Sequence, residues 1–489
     1  MKRYAILTIL ASLFIVVFLA VTWEDKTSSR AAEPLTAHQI AERNKPGTVM
    51  IYTSWKTHVV VPEPEFDQSK GPLLVKRLQE LIKRGQIPNN QKAVQEASVS
   101  ELLTNFLDYV KPGKNLIKKD LETGAMGTGF IITPDGYILT NAHVIYAEDD
   151  YLKWLLTQTA MKELVEKDVE EFVKEAGEAD IEIPEDVLKI GMQNAALYYK
   201  QFMQMDKVST QIFTEIGVAV PGLQAMQRGF GSDLRKRGEP IPGKDVAIIK
   251  VEKTNLPTVR LGDDTNVMTG DRIYVIGYPA VATFHELLSS ESVIEPSLTS
   301  GLISARKKMQ GGWDTFQTDA AITHGNSGGP AFNERGEVIG IATFGSIDYQ
   351  RGGQEVQGMN FLVPISIAKQ FLNEINVTPQ ESQLSRLYEE GLAYYDKQQY
   401  KDALEKFREV NELNPGYPYV TKYISDSRIA ITEGRDRSAS SWLYIGIAVG
   451  AIALVLLVVI AGLIGFFISR GKPSRRQPTV GPVGPAPAR

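Results

Sequence analysis

From residue 210 to residue 365 the chain passes through short apolar runs separated by glycine-rich turns, among them DVAIIKV, DRIYVIGYP, SGLISARK and GEVIGIATFG. No helical pattern alternates with them, and many short strands in this arrangement point to an all-β barrel or sandwich. The same pattern occurs earlier. Residues 38–60 read as a short helix, a Pro-Gly break and a strand, and GTGFIITPDGYILTNAHVI joins two apolar runs through Pro134-Asp135-Gly136, a hairpin signal. A helix near 365–375 closes the β region.

Two stretches interrupt it with helical periodicity. Residues 62–120 contain PLLVKRLQELIKRG and SVSELLTNFLDYV, the second opening on Ser98 and Glu101 at capping-box spacing. In 148–207, Met161, Val165, Val169, Phe172 and Ala176 recur at steps of three and four until Gly177, and a second helix begins near Pro184. The 11 acidic residues against 2 lysines between 163 and 186 predict a solvated acidic face. Over 384–433, Leu387, Gly391, Tyr394, Ala403, Phe407 and Pro415 fit the tetratricopeptide pattern of paired helices. One such unit and a partial second are too few to stand alone, so this helical unit should pack on a neighbour or on a copy of itself.

The ends carry membrane signals. Lys2 and Arg3 precede an uncharged run to Trp23, so 1–23 reads as a signal anchor or signal peptide. Residues 442–469 hold no charge at all, and a span of ~20 residues suffices to cross a bilayer. Arg470, Lys472, Arg475 and Arg476 follow it, which by the positive-inside rule makes 470–489 a basic, disordered cytoplasmic tail and 24–441 extracytoplasmic. With 489 residues there is room for several domains, and a net charge of −5 argues against nucleic acid as a partner. The chain has no cysteine, which removes disulfides, thiol nucleophiles and cysteine-bound zinc. Neither a cofactor nor a metal is expected.

The chemistry centres on AITHGNSGGPAF, where Ser327 stands among Gly325, Asn326, Gly328 and Gly329. A nucleophilic serine needs an exposed Oγ and backbone N–H groups free to meet an oxyanion, and glycine leaves room for both. All five histidines, His38, His58, His143, His285 and His324, precede Ser327. That excludes the hydrolase order in which the histidine follows the serine, and leaves His…Asp…Ser open. His143 ends a hairpin strand, where a side chain is presented at a barrel rim, whereas His324 suits a subsite wall. Of the thirteen aspartates between His143 and Ser327, Asp245 sits where a loop enters an apolar strand, and Asp319 competes with it.

GTGFIITPDGYILTNAHVI, DVAIIKV and FQTDAAITHGNSGGPAFNERGEVIGI resemble the three catalytic blocks of the HtrA/Deg-type trypsin-like serine proteases, and SLTSGLISA resembles a further strand pair of that family. The resemblance covers most of 36–376. It implies a mainly β fold, a double β-barrel with the active site between the barrels, here with large helical insertions and followed by the helical unit and membrane helix where relatives carry PDZ domains. It implies His143 as general base, Asp245 as its orienter, Ser327 as nucleophile, and the N–H groups of Gly325 and Ser327 as the oxyanion hole. By the family pattern Ala321 and His324 line the specificity pocket, which favours small or aliphatic side chains. The expected activity is that of an endopeptidase anchored in a bacterial cell membrane and acting on damaged or misfolded extracytoplasmic polypeptides. Protein partners at the insertions and the helical unit, and a homo-oligomer, complete the expectation. The competing reading is a latent or inactive protease-like scaffold.

Overall fold

The computed structural model describes residues 34–217, 229–283, 295–348, 354–438 and 441–470, with Gly481. Residues 1–23, most of the 470–489 tail and His285 lie outside the described residues. These fall into two units.

The larger unit, Leu35–Ala393 with Ala403–Asp426, contains two β-sheets. Strands β1 (Thr48–Phe66), β2 (Val110–Ile131), β3 (Tyr137–Thr140), β4 (Gln204–Met205), β5 (Ser209–Glu215), β6 (Phe230–Arg237) and β7 (Ala247–Val251) form the first. Their order is β2-β3-β7-β6-β5-β1, and β1 pairs back onto β2, so the sheet closes into a barrel with β4 outside the ring. The second sheet holds β8 (Arg260–Leu261), β9 (Arg272–Gly277), β10 (Ser297–Lys308), β11 (Asp314–Thr318), β12 (Pro330–Phe332), β13 (Glu337–Asp348) and β14 (Gln354–Pro364). It closes in the order β9-β10-β11-β14-β13-β12, with β12 paired to both β13 and β9.

The two-residue period of a strand explains why these runs are apolar throughout rather than alternating. In β9, Ile273 and Val275 point into the second barrel, while Tyr274 and Ile276 join a core shared with Phe130, Leu139 and Ile248 of the first. Ile249 and Val251 of β7 fill the first barrel with Val49, Ile51 and Ile138. Each barrel therefore has one face in its own interior and another against its partner. Helix α1 (Ala37–Asn44) contributes Ile40 to that shared core.

The first insertion differs from the helical expectation for 62–120. β1 and β2 stay paired well beyond the barrel, from Thr48↔Phe130 out to Phe66↔Val110, with a register shift between Pro62 and Pro64. The lysine-rich stretch of β2 hides this ribbon in the sequence because much of it faces solvent. Helices α2 (Gly71–Lys83) and α3 (Gln91–Thr104) occupy the far end of the ribbon. α3 starts earlier than the Ser98–Glu101 spacing suggests: Asn90 is its cap, accepting the Ala93 N–H at 2.9 Å, and Ser98 Oγ donates back to the Val94 carbonyl. The second insertion follows its sequence pattern, with α4 (Asp149–Glu178) and α5 (Glu185–Phe202). Ribbon and helices share a separate core in which Val59, Val61 and Leu121 meet Leu156, Leu164, Tyr198 and Tyr199.

After α6 (Ile365–Glu374) come α7 (Gln383–Asp396), α8 (Tyr400–Leu413) and α9 (Val420–Thr432). Within the larger unit, Tyr388 packs against Phe407, Tyr417 and Tyr423 with ring centroids 5.0–6.0 Å apart. The Thr258 N–H donates to Ser385 Oγ at 2.8 Å, seating α7 on the segment before β8.

The other unit includes Tyr394–Asp402 and the described residues from Ser427 onward. Here the Arg437 N–H donates to the Gln398 carbonyl at 2.8 Å, and Lys401 pairs with Asp436 at 3.2 Å. Helix α10 (Ser441–Arg470) is 30 residues long. Its described side chains, 449–464, are exposed and apolar, a stretch shorter than the ~20 residues a bilayer needs. Among the described residues no helix is long and apolar enough to cross a membrane, although the uncharged sequence of α10 continues on both sides of that stretch.

Candidate active site

β3 and β7 run antiparallel, with Thr140 opposite Ala247. Three residues past Thr140 stands His143, in the one-turn helix Ala142–Ile145, and two residues before Ala247 stands Asp245. The ladder thus brings together residues 102 apart in sequence. His143 Nδ1 lies 2.6 Å from Asp245 Oδ2, and the His143 backbone N–H donates to Oδ1 at 3.0 Å. Asp245 is fully buried. Its carboxylate only accepts, so Nδ1 carries the proton and Nε2 keeps its lone pair toward the cleft. Asn141 Nδ2 holds the Asp245 carbonyl at 2.7 Å. The competing Asp319 is elsewhere, accepting the Leu302 N–H at 2.6 Å.

Ser327 arrives from the other barrel, in the turn that leads into β12. The Thr128 N–H of β2 donates to the Ser327 carbonyl at 2.8 Å, and Thr128 Oγ1 donates to the Gly325 carbonyl at 2.7 Å. A single buried threonine of the first barrel therefore clamps the serine loop of the second. Gly325 and Gly328 have φ of +98° and +86°, where L side chains strain the backbone. A Cβ would stand 2.2 Å from the Tyr278 carbonyl at Gly325 and 2.1 Å from the Thr128 carbonyl at Gly328.

The His324 carbonyl accepts the Ala280 N–H at 2.7 Å. In a trans peptide the C=O and the next N–H point in opposite directions, so this bond also fixes the direction of the Gly325 N–H. Among the described residues neither the Gly325 nor the Ser327 N–H has a protein acceptor. Tyr278, under this loop, is kept neutral: burial pushes its phenol far above the ordinary value, and the carboxylates of Glu215 and Glu295 add to that.

Ser327 Oγ donates to the Thr343 carbonyl at 2.9 Å rather than to the imidazole. Thr343 Oγ1 in turn donates to Asp245 Oδ2 at 2.6 Å. His143, Gly325, Ser327 and His324 all border one cleft of about 630 Å³. Ala321 is exposed, its carbonyl accepts from Thr299 Oγ1 at 2.9 Å, and it does not border that cleft. No group of metal-ligating side chains occurs among the described residues.

Residues 127–341 match the trypsin-like peptidase domain. This match covers 215 of the chain's 489 residues. The DegP-like periplasmic serine endoprotease of Pseudomonas savastanoi pv. phaseolicola is 27% identical over 299 residues, which are 59% of this chain and 44% of that one. The DegP-like protein of Halomonas elongata is 30% identical over 258 residues, 52% of this chain and 36% of its own. The chain thus spans less than half the length of these relatives. Among solved structures, the HtrA-type protease AlgW with a decapeptide is 21% identical and covers 70% of this chain and 68% of its own, at a TM-score of 0.35. The matched residues run from the end of β2 into β13, so β1 and β14, which complete the two barrels, lie outside the match. Thr128 and Thr343 were missed by sequence reasoning, because a threonine in a strand reads as an ordinary strand former.

Proposed function

We propose that the chain is a serine endopeptidase in which Ser327 is the nucleophile, His143 the general base and Asp245 the group that orients the imidazole. The observation that carries this reading is the buried Asp245 carboxylate bonded to His143 Nδ1 in the cleft that also holds Ser327. Rotation of the Ser327 side chain from the Thr343 carbonyl brings Oγ to His143 Nε2. Oγ then attacks the scissile carbonyl as its proton passes to Nε2. The carbonyl oxygen becomes the oxyanion, held by the Gly325 and Ser327 N–H groups. His143 returns the proton to the leaving amine, and water, deprotonated by the same imidazole, releases the acyl group.

Around this centre we read α10 as a membrane span, supported by the uncharged sequence of 442–469 with basic residues beyond it. The peptidase domain then faces the extracytoplasmic side, where unfolded polypeptides are the substrates. α7 and α8 are read as a tetratricopeptide-like unit, supported by the burial of Tyr388, Ala403 and Phe407 in one seam. The resting bond from Ser327 to Thr343 favours a second, latent state of the same enzyme, in which the nucleophile has yet to meet its base.

The test uses the full chain in detergent, assayed for casein cleavage and fluorophosphonate labelling beside Ser327→Ala. Cleavage and labelling by the parent alone are expected. Full proteolysis by Ser327→Ala overturns the assignment of the nucleophile. Labelling without cleavage identifies the latent state, and the absence of both overturns the reading as an enzyme.

A further inference from the structure

Helix α4 carries two apolar faces. Leu156, Ala160, Leu164 and Val165 are buried in the core of the insertion, as an amphipathic helix requires. Tyr151 and Leu155, one turn apart on another face, do not belong to that core and instead border the cleft of Ser327 and His143. Tyr151 is 52% exposed and stacks on Trp154, 54% exposed, with ring centroids 5.7 Å apart. The cleft is also lined by Trp55 of β1, only 3% exposed, by Met126 of β2 and by Tyr146, whose ring carries the Arg237 guanidinium at 3.7 Å. This wall is aromatic and aliphatic with few polar groups, the make-up of a site for an apolar group. Exposed aromatic rings that the fold does not need for its own core mark a contact surface.

The position relative to the scissile bond follows from two observations. The wall is continuous with Ser327, because strand β2 passes beside the serine at Thr128 and leads through Met126, Ala125 and Gly124 along the cleft toward α4. Of the two residues expected at the specificity pocket, His324 borders this cleft and Ala321 does not.

We propose, resting on the peptidase reading above, that Tyr151 and Leu155 with Met126 form a subsite for an apolar, aromatic-sized side chain of the substrate beside the scissile bond. The insertion thus takes part in substrate selection. Glu148, which borders the same cleft, sets its polar edge and disfavours an acidic residue there.

The test uses the full chain and quenched fluorescent peptides that carry either Phe or Gly at each of the first three positions on either side of the scissile bond, with the other residues held constant. The readout is the Phe/Gly ratio of kcat/KM, which loss of folded enzyme does not move. The parent is expected to prefer Phe at one position by about 10-fold or more, the scale of discrimination an apolar pocket supplies. Tyr151→Ser and Leu155→Ser should each reduce that ratio to within about twofold of unity, whereas Lys174→Ser, exposed farther along the same helix, should keep the parental ratio. Peptides cleaved without a Phe preference, or variants that retain it, overturn the subsite and leave the peptidase reading standing. A parent that cleaves none of the peptides overturns the subsite, and one that also escapes fluorophosphonate labelling overturns the peptidase reading with it.

Discussion

Thr343 donates its hydroxyl to the Asp245 oxygen that also accepts from His143 Nδ1, both at 2.6 Å. Its own carbonyl accepts from Ser327 Oγ. One residue of the second barrel therefore touches both the carboxylate and the serine. A hydrogen bond to a charged group contributes about 1.5–3 kcal/mol, so Thr343→Val should lower kcat/KM roughly 10- to 100-fold. Thr343→Ser keeps the donor and should recover most of the rate. The effect should fall on kcat more than on KM, since Thr343 acts through Asp245. A Val variant with parental kcat would show that the hydroxyl does not position the carboxylate.

Gly325 offers a sharper test of the oxyanion assignment. Its φ is +98°, and an added Cβ would stand 2.2 Å from the Tyr278 carbonyl, so alanine must move the backbone that carries the proposed oxyanion donor. Losing one such donor costs about 2.7–4 kcal/mol of transition-state stabilisation. Gly325→Ala should therefore reduce kcat by about two to three orders of magnitude, while fluorophosphonate labelling slows and circular dichroism stays native. An alanine variant with near-parental kcat would remove Gly325 from the oxyanion hole.

The parts of this site that were legible in the sequence are those that local pattern specifies. His143 and Asp245 were readable because each flanks a short apolar strand, and antiparallel pairing of those strands makes them neighbours despite the 102 residues between them. Thr128 and Thr343 were not readable, because their roles depend on which strands of two different barrels meet. The ribbon was hidden by the lysines of β2, whose pairing with β1 continues where neither strand shows a clean two-residue period. Ser98 and Glu101 had the spacing of a cap, yet Glu101 binds Arg77 at 2.6 Å and Tyr109 at 2.8 Å from within the helix. Side-chain chemistry alone does not reveal such tertiary competition.

In the insertion, Tyr199 donates to Asp168, whose carboxyl is pushed above its ordinary value mainly by burial, opposed by the Tyr199 hydrogen bond and by Lys167 while Glu171 and Glu63 add to it. A folded-state value above the unfolded one means that the native protein holds this proton more tightly. Its contribution to stability is then fully present below the unfolded carboxyl value and is lost as pH rises through the raised one. Asp168→Asn removes that loss. The thermal midpoint of the variant relative to the parent should rise as pH climbs from about 4 toward neutrality. A difference that stays flat or falls over that range would mean that Asp168 is not held protonated by its surroundings.

Arg43 of α1 and Arg260 of β8 both bind Glu389 of α7, and Arg260 Nε also meets Glu381 at 2.6 Å. Exposed ion pairs contribute about 0–1 kcal/mol, but Glu389 and Arg43 are only 16% and 18% exposed. Removing the shared carboxylate leaves two guanidinium groups close together, Arg43 with little water to screen it and Arg260 39% exposed and still paired with Glu381. Glu389→Ala should therefore cost about 1–3 kcal/mol and loosen α7 from the peptidase domain, exposing residues 376–383 to added protease. The loss should persist at about 0.5 M salt, where screening over ~4 Å would abolish a surface effect. A double variant, Glu389→Ala with Arg43→Met, should recover part of it, because one of the stranded charges is gone. A salt-sensitive loss with no recovery in the double variant would place the network at the surface and leave the docking of α7 to Ser385 and the aromatic seam around Tyr388.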